Sequence, residues 1–481
     1  MTAAGKDERG RPGWCRGAAG RPLVNRDYAR LWAGQAVSAT GDSAFAVTLV
    51  LWVGEVLAAG RAWAPAAVSG ILVADGAAFA LAGPLAGILA DRWDRRLVMM
   101  RTEAVRAVLA AALAALTFVP AGDLPAGAWL AVVYATVFAL ACAGQLFTPA
   151  MIAATGDVVR GEADRARAAG LAGAATSAAK IAGPLAAVPL FAAGPHWALA
   201  ADAASYVVSL LSVRSMHWRP RHPSRPVAGD GAWRSLVTEF GAGIRVFRGN
   251  RYLSVLLSVT MLCQVGTGAL TLNLFFVTSD LHAPARLLGF AEMAMAGGFL
   301  AGSLAAGPLV RRFGARTLTW TGLVATGVLS ASYALQRDFA AGAVVFACYG
   351  AMIGLLNTAT EPLLLAAAPQ EYMGRVMAVY RSANQITSAA AIMVWGWLAS
   401  TVLRGVAGSV LGVRFNAASL VFVIAGALIV FSGLRALAAL PRAPAPAAVP
   451  VRKQHRRPAG RAVPGPPEPG LPRPCPSSPA G

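Results

Sequence analysis

The sequence predicts an all-α integral membrane protein with twelve transmembrane helices in two six-helix pseudo-repeat halves, and three observations predict it. The chain is 57% hydrophobic and 13% charged, with a mean hydropathy of +0.57, whereas a soluble domain is about a quarter charged. Its apolar residues fall in blocks of about twenty, the length that carries a helix across a hydrocarbon core of about 30 Å. The net charge of +20 gathers in the tails and alternate loops, as the preference for basic residues on the cytoplasmic side requires.

Helices are expected over 28–55, 64–90, 97–119, 127–152, 168–193 and 197–216, then over 251–279, 286–310, 316–336, 340–367, 376–402 and 412–435. The first block is too long for a signal peptide and contains Asp42, so it is read as a retained helix. With both termini cytoplasmic, Arg92, Arg95, Arg96, Arg160, Arg165, Arg311, Arg312, Arg316 and Arg375 fall in inner loops, and only isolated charges such as Arg61, Arg286, Arg337 and Arg404 fall outside. A pI of 11.1 would point to nucleic acid in a soluble protein. Here membrane orientation accounts for the charge, and no nucleic-acid partner is expected.

The chain divides into a basic tail (1–24), a first half (25–216), a central loop (217–250), a second half (251–435) and a Pro/Arg-rich tail (436–481). Both tails lack the apolar content to bury a core and are expected to be disordered. The central loop opens with Arg219, Pro220, Arg221, Pro223, Arg225 and Pro226. It then becomes amphipathic around Trp233, Leu236, Phe240, Ile244 and Phe247, a pattern expected to lie along the inner membrane surface.

The halves repeat weakly. Gly87-Ile-Leu-Ala-Asp91-Arg92-Trp-Asp94-Arg95-Arg96 aligns with Gly307-Pro-Leu-Val-Arg311-Arg312-Phe-Gly314-Ala-Arg316, and Asn25-Arg26 with Gly41-Asp42 aligns with Asn250-Arg251 and Gly266-Thr267. Parallel six-helix repeats are a transporter architecture with the binding site near the midplane between them.

The run from Gly87 to Arg96 resembles the loop signature of the major facilitator superfamily between its second and third helices, with Asp94 where that family usually has Gly. The opening Asn25-Arg26-Asp27-Tyr28 with Leu31-Trp32, the Gly41-Asp42 pair, Lys180-Ile-Ala-Gly183-Pro184 and Gly374-Arg375-Val376 are similar to its macrolide-efflux and enterobactin-export branch. The resemblance covers about residues 24 to 435. It implies a major facilitator fold, proton antiport and a gate at the inner face formed by Gly87, Asp91, Arg92, Arg95, Arg96 and Arg375. It also implies a helix-five bend at Gly183-Pro184, although the flanking glycines of the exporters are replaced, for instance by Ala187. Residues 127–152 lack the arginine that many proton-coupled drug exporters carry in that helix.

An ionisable group at mid-bilayer costs about 2.5 to 3.5 kcal/mol on insertion scales, so each calls for a partner, an aqueous cavity or a function. Asp42, Asp75, Lys180, Glu292 and Glu361 are therefore the candidates for a substrate or proton pathway, joined by Gln264 and Asn357. Helical spacing groups Gln35, Ser38 and Asp42; Thr260, Gln264, Thr267 and Thr271; Asn357 and Glu361; and Arg381, Gln385 and Ser388. Asp42 is expected to pair with Lys180, and Asp202 to reach the membrane interface. Packing alone can also explain buried polar contacts between helices.

No metal ligand spacing, catalytic constellation or phosphate loop is present, so no cofactor, metal or enzyme activity is expected. Cys15, Cys142, Cys263, Cys348 and Cys475 are scattered and build no disulfide framework. Lysine occurs only at Lys6, Lys180 and Lys453 amid abundant Ala and Arg, a bias that suggests a bacterial source and location in the inner membrane. The expected function is export of a small amphipathic molecule by a monomer embedded in lipid. The alternatives are uptake of a polar nutrient and, from a different class, a membrane enzyme or sensor.

Overall fold

A short polar residue ahead of an apolar block starts many of these helices. The computed structural model describes residues 24–120, 122–159, 161–218, 241–368, 372–403, 408–410 and 413–440. In it the Asn25 side chain accepts from the Tyr28 amide at 2.8 Å and opens α1 (Arg26–Trp52). Asp94 accepts from Leu97 at 2.9 Å and opens α3 (Arg95–Leu116). Asn250 opens α7 (Arg251–Ser279), Asp338 opens α10 (Phe339–Ala367) and Asn416 opens α12 (Ala417–Ala439) in the same way. Each cap satisfies an amide that has no acceptor within its own helix. The other long helices are α2 (Ala64–Arg92), α4 (Ala126–Val158), α5 (Glu162–Ala193), α6 (Pro195–Ser215), α8 (Leu288–Phe313), α9 (Ala315–Ala334) and α11 (Met373–Ser400). Gly408–Val410 and Val413–Phe415 form a two-stranded ribbon before α12.

Each expected helix is present, with shifted ends. Helix α4 runs to Val158 because Asp157 there pairs with Arg95 at 3.0 Å. Helix α5 starts at Glu162 because Glu162 and Asp164 occupy its first turn, where negative charge suits the helix dipole. Nine helices among the described residues are long and apolar enough to cross a membrane. Helices α3, α9 and α11 have the length, at 22, 20 and 28 residues, but carry more polar side chains.

The weak repeat in sequence becomes a clear one in packing. In the first half α1 packs on α5 and α6, α3 on α4 and α6, and α2 on α4; in the second, α7 packs on α11 and α12, α9 on α10 and α12, and α8 on α10. Across the halves α2 packs on α11 and α5 on α8, so the two cross-contacts also exchange under the repeat. The aligned residues do equivalent work. Asn25 Nδ2 donates to the Val158 carbonyl at the end of α4 at 2.9 Å, and Asn250 Nδ2 donates to the Ala367 carbonyl at the end of α10 at 3.3 Å. Arg96 donates to the Arg214 carbonyl at 2.6 Å, holding the end of α6, and Arg316 donates to the Leu437 and Leu440 carbonyls at 2.9 and 2.7 Å, holding the end of α12. A Cβ at Gly41 would strike Ser205 of α6, and one at Gly266 would strike Ile429 of α12. Asn250→Ala is expected to cost about 1 kcal/mol through the lost cap, seen as a lower unfolding midpoint in detergent; an unchanged midpoint would remove the clamp from this account.

The end of the bundle that carries Asn25 and the α2–α3 turn is the basic end. Toward the opposite end the halves pack together: Ser400 Oγ accepts from the Ala66 amide at 3.0 Å, Ser69 and Thr271 hydroxyls meet at 3.3 Å, and one apolar cluster joins Val47, Leu51 and Ala187 to Leu272, Phe276 and Trp395. Toward the basic end the clusters around Met99 and Phe147, around Tyr28 and Val159, and around Leu256 and Val376 each belong to one half.

The described part of the central loop departs from expectation. Residues 241–249 are helical, and Phe247 is buried with Tyr252, Val255, Val376 and Val379, so this segment packs on α7 and α11 rather than resting on lipid. Apolar area at Phe247 gains more from a protein groove than from an interface it would only half enter. Residues 436–439, expected in the disordered tail, instead complete α12, where Ala436 is buried. Trp233, Leu236, Phe240, residues 1–23 and residues 441–481 lie outside the described residues.

Candidate functional site

Two adjoining cavities are lined by most of the charged residues singled out from the sequence. The first lies inside the first half, has a volume of about 450 Å³, and is lined by Gln35, Asp42, Asp75, Arg106, Gln145 and Tyr206 among others. Asp42 is fixed there by Arg106 Nη2 at 2.9 Å and by the Tyr206 hydroxyl, which donates to the same Oδ1. The guanidinium stacks 4.1 Å from the Tyr206 ring centroid, and its other nitrogen stands 3.8 Å from Glu103 Oε2. Glu103 is fully buried, and its Oε1 accepts from Ser209 at 2.9 Å and Gln35 at 3.4 Å. These contacts join α1, α3 and α6 through one cation. Asp75 on α2 opens onto the same cavity, within electrostatic reach of Asp42 and Arg106.

The second cavity, of about 510 Å³, lies between the halves. Lys180, Glu292, Asn273, Thr267, Thr271 and Ser388 supply polar groups to its wall, and Phe299, Met295, Ile353 and Ile392 supply apolar ones. Helix α7 tightens to a 3-10 turn over Gly268–Leu272 at this wall, and Trp395 Nε1 donates to the neighbouring Val265 carbonyl at 2.7 Å. Interrupted helices at a midplane cavity are where transporters expose backbone groups to ligands. Asn273 Nδ2 donates to Glu292 Oε1 at 2.8 Å and receives the Tyr333 hydroxyl on its Oδ1 at 2.8 Å, so Glu292 is tethered within its own half. Ile71 and Leu72 line both cavities and form their shared wall.

The expected pairing of Asp42 with Lys180 is not what the structure shows. At this depth Thr40, Ser43 and Ala44 face α5, where they crowd Gly183. Asp42 sits about 100° round the helix from Ser43 and turns to α3 and α6. Lys180 instead stands 5.4 Å from the Phe299 ring centroid of α8. Asp202 does not reach an interface either: it is fully buried beside Gly41, where the closeness of α1 and α6 leaves its Oδ2 without a hydrogen-bond partner.

Of the other candidates, Gln264 bonds to the Thr267 hydroxyl at 3.2 and 3.4 Å through its carbonyl and side-chain oxygens, and Asn357 is exposed. Pro184 lies inside a continuous α5 and lines the central cavity. The side chains of Glu361, Gly87, Asp91 and Arg92 lie outside the described residues. Arg95 and Arg96 bond within the first half, and Arg375 lies 5.4 Å from the Tyr372 ring centroid, so the contacts these three make among the described residues stay within one half. Asp94, where the family signature has Gly, caps α3 with its carboxylate at φ −60°, whereas its counterpart Gly314 precedes α9 at φ +81°, a conformation that suits glycine.

Sequence reading missed Arg106 and Glu103. They lie three apart in α3, whose Arg101, Glu103 and Arg106 were visible as charges inside an expected span. It also missed the Gly298-x-x-x-Gly302 and Gly350-x-x-x-Gly354 pairs, a spacing that marks close helix contact in membranes. Here they interlock: a Cβ at Gly298 or Gly302 would land on the Ala347 or Ala351 carbonyl, and one at Gly350 or Gly354 on the Met295 or Phe299 carbonyl.

Among the described residues no cluster of His, Cys, Asp and Glu is arranged to hold a metal. No curated protein matches the sequence. The fold is similar to the nucleoside transporter NupG (TM-score 0.65, 13% identity, covering 86% of this chain and 99% of that one). It is also similar to a bacterial homologue of the iron transporter ferroportin in its inward-facing state (0.66, 14%, 87% and 99%). An auto-inhibited peptide transporter of the POT family is a third match (0.64, 13%, 90% and 99%). At these identities the likeness establishes the fold, whereas the sequence profile of the Major Facilitator Superfamily matches residues 31–392 directly. A multi-pass helical bundle with a charged cavity in one half and a second cavity between the halves is thus a transporter rather than an enzyme, and the chain belongs to the Major Facilitator Superfamily.

Proposed function

We propose that the protein exports a small amphipathic molecule in exchange for protons, by alternating access between six-helix halves 25–216 and 251–435. The observation that carries this reading is the acid-rich cluster in the first cavity. Asp42 and Glu103 contact the Arg106 guanidinium, Asp75 lines the same cavity, and Asp202 is buried nearby beside Gly41. One guanidinium does not balance this many carboxylates, so the first half carries excess negative charge within the membrane, which transported protons can offset. The second half has no such cluster among its described residues: the positions aligned with Glu103 and Arg106 are Leu323 and Thr326, both buried. The proton site therefore belongs to the first half, and the substrate site to the adjoining central cavity.

With the basic end in the cytoplasm, the apolar clusters of the described residues there, each confined to one half, support an inward-facing reading. The cavity then loads from the cytoplasm, as export requires. The branch resemblance of Lys180-Ile-Ala-Gly183-Pro184 and the largely apolar wall around Phe299 and Met295 support an amphipathic cargo over a polar nutrient.

Asp42→Asn and Asp75→Asn, reconstituted in liposomes with an imposed pH gradient, are expected to lose gradient-driven export of amphipathic drugs while retaining exchange of the same drug across the membrane. Undiminished gradient-driven export by both variants would overturn the proton role. For topology, reporter fusions after residues 60, 122, 282 and 338 are expected to read external. Internal signals at two of them would reverse the orientation and with it the direction of loading.

A further inference from the structure

We propose that the central cavity selects amphipathic organic anions, with Lys180 as the group that receives the anionic head. This deepens the carrier reading above and rests on it. Every other described ionisable group around the two cavities faces a different situation. Asp42 and Glu103 both share the Arg106 guanidinium within the first half. Asp75 lines the same cavity as that guanidinium. Glu292 is occupied by Asn273, which is itself held by Tyr333.

Among the described residues Lys180 is the one cation in the wall of the central cavity, and no carboxylate among them lies within ion-pair distance of it. Its side chain is exposed to the cavity, and its ammonium stands 5.4 Å from the Phe299 ring centroid. A ring face stabilises an ammonium weakly and leaves its N–H groups free to donate.

The surroundings specify the rest of the ligand. One turn from Lys180 along α5, Pro184 forms wall, and Phe299, Met295, Ile353 and Ile392 present apolar surface beside it. A carboxylate, sulfonate or phosphate carried on an aromatic or aliphatic body would meet the ammonium with its head and this surface with its body. Lys180 belongs to the first half and Phe299 to the second, so such a ligand touches both bodies that must move. A ligand that binds across a closing interface favours closure, because its contacts are complete only in the closed state.

The test uses three probes with one apolar body: pyrenebutyrate, pyrenebutanol and pyrenebutylammonium. Binding to the purified full chain in lipid nanodiscs is followed by energy transfer from tryptophan. The wild type is expected to bind the anion best. Lys180→Gln is expected to weaken the anion about tenfold with little change for the alcohol, while Lys180→Arg retains affinity within about threefold. Equal anion affinity in wild type and Lys180→Gln, or a wild-type preference for the cation or alcohol, would overturn the proposal. Transport of the same probes in liposomes separates the two readings. Lys180-dependent anion binding without any transport would defeat the carrier reading and leave the anion site standing, whereas transport of all three probes regardless of Lys180→Gln would do the reverse.

Discussion

Replacing Arg106 by Gln is expected to destabilise the protein more than any other single change in the cavities, by about 3–5 kcal/mol. The side chain is 13% exposed and serves Asp42 at 2.9 Å, Glu103 at 3.8 Å and the Tyr206 ring together. Removing it strands carboxylates in a site where Glu103 is fully buried, and an unpaired buried charge costs far more than a pair contributes. Folded yield and unfolding midpoint in detergent measure the loss. Asp42→Asn in the Arg106→Gln background is expected to recover part of the midpoint, because it removes one of the stranded charges; strictly additive losses in the cycle would show that the two do not interact. An Arg106→Gln variant as stable as the parent would dismiss the cluster as a structural unit.

Gly302→Val is expected to have a comparable effect for a different reason. A Cβ at Gly302 would occupy the position of the Ala351 carbonyl oxygen, so α8 and α10 would have to separate along the whole interlocked stretch from Gly298 to Gly354. Overpacking of this kind costs about 1–3 kcal/mol where side chains can yield, and more where backbone must move. The expected readout is loss of a monodisperse peak on size exclusion and of surface expression. Gly297→Ala, on the same helix with nothing within 4 Å, is the control and is expected to behave as the parent. A normal Gly302→Val variant would mean that the two helices are not held at this spacing.

Much of the molecule was legible in one dimension because lipid imposes one-dimensional rules. A helix must be long and apolar enough to cross, so the spans could be placed to within a few residues. A basic loop is held on one side, and repeated Asn25/Asn250 and Gly41/Gly266 pairs marked positions that cap or crowd their neighbours equivalently in both halves. Intramembrane charges also announced themselves: Asp42, Asp75, Lys180 and Glu292 all line cavities.

The partners of those charges were decided only by tertiary structure. Depth along a helix can be counted from sequence, which is why Asp42 and Lys180 looked like a pair, but the facing direction depends on which neighbour occupies each side. Thr40, Ser43 and Ala44 of α1 are pressed against Gly183 of α5, so Asp42 turns away to Arg106 and Tyr206, and Lys180 is left to Phe299 of the opposite half. Phe247 likewise had an amphipathic pattern that lipid or protein could satisfy, and only the packed groove of α7 and α11 chose protein. Sequence alone determined that this chain crosses the membrane as two related sets of helices carrying buried charge. Which acid meets which base was set by rotations of about 100° between adjacent residues, and only packed neighbours fix those rotations.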